Sequence, residues 1–74
     1  MEQFYKNHRI EITPWLDLGD WVVNIFIFFQ AHEEGTAMLV TFALEERFKT
    51  SDDAIEAGLV AARRWIDRQK SELG

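Results

Sequence analysis

The sequence predicts a small α+β domain, a three-stranded antiparallel meander sheet with one C-terminal helix packed on one face (β-β-β-α). Three observations predict it. Hydrophobic periodicity switches once, from strand-like spacing rich in Ile, Val, Phe, Thr and Trp up to Phe48 to helical spacing from Ser51 onward. Two short turn-rich breaks, Asp17-Leu18-Gly19-Asp20 and His32-Glu33-Glu34-Gly35, cut the first part into hairpin-sized pieces. No linker, low-complexity tract or internal repeat interrupts the 74 residues, so residues 1–74 form one domain.

The first strand, Asn7–Trp15, alternates around Ile10 and Ile12. Pro14 cannot donate to a ladder, which suits the edge position that the first strand of a three-strand meander takes. The second strand, Trp21–Ala31, is a long run of Val, Ile and Phe, and the third, Thr36–Phe48, continues with Met38, Val40, Phe42 and Leu44. A fold about Leu18-Gly19 sets Ile12 opposite Ile25 and Ile10 opposite Ile27. A fold about Glu33-Glu34 sets Phe29 opposite Met38, Ile27 opposite Val40, Ile25 opposite Phe42 and Val23 opposite Leu44. Both hairpins put the same apolar set on one face. A slip of one residue would scatter that set, because side chains alternate with a period of two.

The helix opens at Thr50-Ser51-Asp52-Asp53, with Thr50 as the cap and acidic residues in the first turn, where the helix dipole favours them. Arg63, Arg64, Arg68 and Lys70 load the other end. Ala54, Ile55, Gly58, Leu59, Ala62, Trp65 and Ile66 recur at spacings of three and four and form one apolar stripe. Ala and Gly in its middle would allow a close approach to the sheet.

One helix covers only one sheet face, and the other should then be polar. It is polar only at its rim. Trp15, Val22, Phe26, Phe28 and Leu39 fall on this second face, among Arg9, Glu11, Thr13, Asn24, Gln30, Ala37, Thr41, Ala43 and Glu45. An exposed patch of a few hundred Å2 is about the size that marks a partner. The expectation is a homodimer formed through this candidate interaction face or through an exposed edge strand. The alternatives are cover by Met1–Tyr5 or the C-terminal tail, and a groove for a peptide, another protein or a small apolar ligand.

Composition narrows the partners. Folding at this size hides only about 60% of the unfolded surface. With no Cys to staple the chain, the core has to pack well or be shared. Eight Lys and Arg stand against thirteen Asp and Glu, a formal charge of −5, and no stretch is strongly basic. Counterion release therefore has little to work with, which disfavours nucleic acid and anionic membrane surfaces alike. No apolar run reaches the 18 or so residues of a membrane span, and no secretory leader is legible. A cytoplasmic setting is the default expectation.

Catalytic and metal chemistry find little footing. His8 and His32 are the only histidines, and the predicted registers do not bring them together. His32-Glu33-Glu34 reads as a solvated hairpin tip, since no second His at i+4 and no Cys supports a metal site. Ser51 and Ser71 fall in the helix cap and the tail, and Asp52-Asp53 is an ordinary capping pattern. The four glycines form no phosphate-binding loop. The expectation is a protein that is not an enzyme and uses no cofactor or metal, with a nucleic-acid-binding three-stranded sheet as the alternative function.

The segment Phe48-Lys49-Thr50-Ser51-Asp52-Asp53-Ala54 leading into Ala57 and Ala61, with Trp21 opening the second strand, resembles the strand-to-helix junction of ethylene-response-factor DNA-binding domains. Those read DNA with Arg and Trp on the exposed sheet face. Here that face offers Arg9 and Trp15 but also Phe26, Phe28, Leu39 and Glu45, so the departure falls on the functional positions. The junction is also similar to that of HicB-type antitoxin domains, which implies oligomerisation and a protein partner. Across most of the chain, the pattern Phe48-x-Thr50-x-x-x-Ala54 through Trp65-Ile66-Asp67 resembles a family of small uncharacterised bacterial proteins, a likeness that implies a fold and no activity.

Overall fold

The computed structural model describes residues 1–30 and 37–73, with side chains through Gln69. An antiparallel sheet of four strands carries one helix: β1 (Glu2–Tyr5), β2 (His8–Asp17), β3 (Asp20–Gln30), β4 (Ala37–Ala43) and α1 (Ser51–Leu73). The strands lie in the sheet in chain order. The architecture is thus β-β-β-β-α, and the three-strand expectation is corrected by one strand at the N-terminus.

That extra strand is made by a two-residue turn. Lys6 and Asn7 both take positive φ (48° and 67°), the geometry of a type I′ hairpin, whose twist matches the flanking strands. Residues 2–5 then pair with 8–11, and Met1 exchanges backbone bonds with Ile12 at 2.7 and 2.9 Å. Met1–Tyr5 therefore extends the sheet sideways and does not cover its second face. It also removes β2 from the edge along its first half. Pro14 still sits at an open edge. Ile12 N–H points toward β1, so the nitrogen two residues on points the same way, beyond the end of β1, and no ladder bond is lost there.

Both predicted registers are present. Ile12 lies opposite Ile25 and Ile10 opposite Ile27. Ile25 lies opposite Phe42, Ile27 opposite Val40 and Phe29 opposite Met38. The β2–β3 turn is again of type I′, with Leu18 at φ 52° and Gly19 at 86°. The predicted turn His32-Glu33-Glu34-Gly35 lies outside the described residues, as do Ala31 and Thr36. The third predicted strand ends earlier than Phe48. After Leu44, whose N–H donates to Val23 O at 3.3 Å, the chain leaves the ladder and then returns, so that Trp21 and Phe48 exchange a pair of 2.8 Å backbone bonds.

The helix starts as its sequence implies. Asp53 N–H donates to Thr50 Oγ1 at 3.1 Å, and Ala54 N–H to Thr50 O at 3.2 Å. Its stripe lies across β2 and β3. Ile10, Ile12, Val23, Ile25 and Ile27 of the sheet and Ala54, Leu59, Ala62 and Ile66 of the helix make the buried core. Burying an Ile or Leu side chain contributes about 1.5–3 kcal/mol. Because the helix favours the central strands, β4 is only partly covered: Val40, Phe42 and Leu44 are half-buried, and Met38, predicted on the covered face, is exposed. Among the described residues no helix is long and apolar enough to cross a membrane.

Candidate interaction face

The register assembles the second sheet face in rows that run across the strands. Phe4, Arg9, Phe28 and Leu39 form one row, and Glu2, Glu11, Phe26 and Thr41 the next. Thr13, Asn24 and Ala43 form a third, followed by Trp15 opposite Val22. All five predicted residues therefore share this face. Phe26, Phe28 and Val22 are half-buried by their neighbours, while Trp15 and Leu39 are exposed. They do not make one patch. The Thr13–Asn24–Ala43 row divides Trp15 and Val22 from the Phe26–Phe28–Leu39 cluster.

The larger cluster gains a member that sequence reading left out. Phe4 is 71% exposed at the end of the first row. Its signal was the aromatic pair Phe4-Tyr5 just ahead of Asn7, a residue that favours positive φ. Arg9 ties the row together. Its guanidinium stands 4.1 Å from the Phe28 ring centroid, and its Nη1 donates to Glu2 Oε2 at 2.9 Å. Glu2 lies directly opposite Glu11, a like-charge pairing that Arg9 relieves. With Arg9 and Glu2 both about half exposed, the ion pair itself contributes well under ~1 kcal/mol. The face thus carries aromatic surface, one cation already engaged, and two carboxylates.

Polar clusters elsewhere hold elements together. On the helix side, Tyr5 OH donates to both Asp67 carboxylate oxygens at 3.0 Å, and Lys6 Nζ donates to Asp67 Oδ1 at 2.7 Å. Arg63 donates to Gln3 Oε1 and stands 5.9 Å from the Tyr5 ring centroid. Asp67 raises the Lys6 pKa above the ordinary lysine range, first through the hydrogen bond and then through its charge. At the other end of the sheet, Arg47 donates to Asp17 O and Asp17 Oδ2 at 2.7 Å and to Asp20 Oδ2 at 3.4 Å, which raises its own pKa. This clamps the β2–β3 turn to the segment entering α1.

His8 Nδ1–H donates to Lys6 O (2.7 Å), and the ring lies 4.8 Å from the Phe29 ring centroid. His32 lies outside the described residues, and so does the predicted His32-Glu33-Glu34 tip. Among the described residues no group of three or more His, Asp or Glu side chains gathers as metal ligands. Ser51 opens the helix and Asp52 and Asp53 occupy its first turn.

A second apolar surface lies on the helix side, where β4 runs past the edge of α1. A groove of about 410 Å3 is lined by Phe42, Leu44, Val60, Ala61 and Trp65, with Glu46, Arg64 and Arg68 at its rim. Compared with protein-family models, with curated proteins and with solved structures, the chain finds no match.

Proposed function

We propose that this protein works by binding and not by catalysis, as a small interaction module that associates with itself through the second sheet face. The observation that carries the reading is the row Phe4–Arg9–Phe28–Leu39 with Phe26 beside it, left bare by both the helix and the N-terminal strand. Its size is adequate. Four strands about 4.8 Å apart and roughly eight residues long give a face of about 500 Å2, so two stacked copies bury roughly 1,000 Å2, near the lower bound of a specific interface. Its composition also fits: aromatic residues and Arg at the centre are what interfaces enrich.

The nucleic-acid reading has one observation in its favour, the aromatic sheet face on which bases could stack. Against it stand Glu2 and Glu11 on the same face and the engagement of Arg9 by Glu2. Sedimentation of wild type and of Phe28→Glu at high micromolar concentration tests the proposal. The wild type is expected to associate and the variant to lose that association while keeping a cooperative melt. A wild type that stays monomeric overturns it. A mixed-sequence oligonucleotide shifted in a gel, with affinity falling steeply as salt rises, would favour the nucleic-acid reading instead.

A further inference from the structure

The outer edge of β4 is an open template, and we propose that it pairs antiparallel with β4 of a second copy about a two-fold axis at Val40, joining two four-stranded sheets into one. Leu44 N–H donates to Val23 O, so the even-numbered residues of this ladder bond inward to β3. The N–H and C=O groups of Ala37, Leu39, Thr41 and Ala43 then point to the open side. A two-fold at Val40 sets Ala37 opposite Ala43 and Leu39 opposite Thr41, in both directions, each pair exchanging both backbone bonds. No other two-fold register satisfies all four residues.

Side chains agree with that register. On the helix side Met38 meets Phe42 of the second copy and Val40 meets its own symmetry mate. On the second face Leu39 meets Thr41. The strand has no charge and no Pro, the usual defences of a free edge. The opposite edge has both, with Glu2 in the short β1 and Pro14 and Asp17 beyond it.

The seam is about 24 Å long, seven residues at about 3.4 Å each. A specific interface needs roughly 1,000 Å2 in all, so surface beside the strand has to join. The groove over β4 supplies it, with half-buried Phe42 and Leu44 and exposed Val60. The two-fold turns the Phe42 end of one copy's β4 toward the Met38 end of the other, where Trp65 packs 6.0 Å from the Phe29 ring centroid.

This pairing does not depend on association through the second face, and one pair of variants separates them. Thr41→Pro removes an N–H that β3 does not use, so the monomer keeps its ladder, while the paired edge loses a bond and meets the ring. Thr41→Pro is expected to lower the assembly by one dimerisation step in sedimentation, and Thr41→Val to keep the wild-type mass. In the wild type the Leu39 and Ala43 amides are expected to exchange at least about tenfold more slowly than in Thr41→Pro. If Thr41→Pro fails to fold, Met38→Lys takes its place, a charge beside the seam on the helix side and off the second face, with the same mass and exchange expected. Equal mass and equal exchange in wild type and edge variant overturn the pairing. Loss of mass in Phe28→Glu alone overturns it and supports the face. Loss in the edge variant alone supports it and overturns the face.

Discussion

Gly58 of α1 and Ile12 of β2 meet through a side chain that is not there. A Cβ at position 58 would stand 3.2 Å from Ile12 Cγ2 and 3.3 Å from both Ile12 Cδ1 and Val23 Cγ2. Ile12 and Val23 are themselves buried and have little room to withdraw. Alanine gains about 1 kcal/mol of helix propensity over glycine, whereas overpacking costs about 1–3 kcal/mol. Gly58→Ala is expected to fall within about 1 kcal/mol of wild type on the less stable side, and Gly58→Val to cost about 3 kcal/mol or more. Urea unfolding measures both. A valine variant as stable as wild type would show that helix and sheet are not this close.

Leu18 stands at the first central position of a type I′ turn with its side chain 93% exposed. A left-handed residue other than Gly, Asn or Asp costs about 1–2 kcal/mol, and its exposed side chain regains little by packing. Leu18→Asn is expected to stabilise the protein by about 0.5–1 kcal/mol, seen as a rise of a few degrees in Tm. A fall in Tm would mean that the Leu18 side chain is engaged after all.

Thr50 caps α1 through the bond from Asp53 N–H. Thr50→Ala is expected to cost about 1 kcal/mol. Ser51→Ala, one residue into the helix, is expected to change stability by less than about 0.5 kcal/mol. Equal losses at the two positions, read from chemical unfolding, would move the cap.

Tyr5 and Lys6 fasten β1 to the helix through Asp67. Tyr5→Phe removes the hydroxyl that donates to both carboxylate oxygens and is expected to cost about 1 kcal/mol. Lys6 shows itself in pH dependence. Its pKa is raised on folding, so its contribution is complete below the unfolded value of about 10.4 and is lost as pH rises through the folded value. The stability difference between wild type and Lys6→Met is therefore expected to shrink at alkaline pH. The salt bridge is exposed, so that difference is small at neutral pH. A difference that persists unchanged well above the lysine range would assign it to packing.

Alternation made most of this fold legible. Ile10, Ile12, Ile25 and Ile27 can face one core only in the registers found, and Thr50 ahead of two acidic residues marks the helix start. β1 was missed because Glu2-Gln3-Phe4-Tyr5 is short, has no β-branched residue, and turns through Lys6-Asn7 without a glycine. Missing it made β2 an edge along its whole length and left Phe4 off the candidate face. The end of β4 was overrun because Leu44, Phe48 and the residues between keep a strand-like composition. Backbone geometry intervenes there: the chain has to leave the ladder to cross toward α1, and the Trp21–Phe48 pair closes that detour. The division of the face by Asn24 follows from the predicted register, but treating the apolar residues as one patch ignored the row between them.

The sheet is ordered in space as the chain is ordered in time. Every strand pairs with its sequence neighbour, and at least two of the connections are two-residue turns, so hairpins can close within about 1–10 μs. α1 follows all four strands in the chain, and its 23 residues take roughly 1–5 s at about 5–20 residues per second of synthesis. α1 thus docks onto an isoleucine-lined face built wholly from strands that precede Ala54, Leu59 and Ile66 in the chain. Until α1 docks the sheet bears two apolar faces, and the helix closes only one of them.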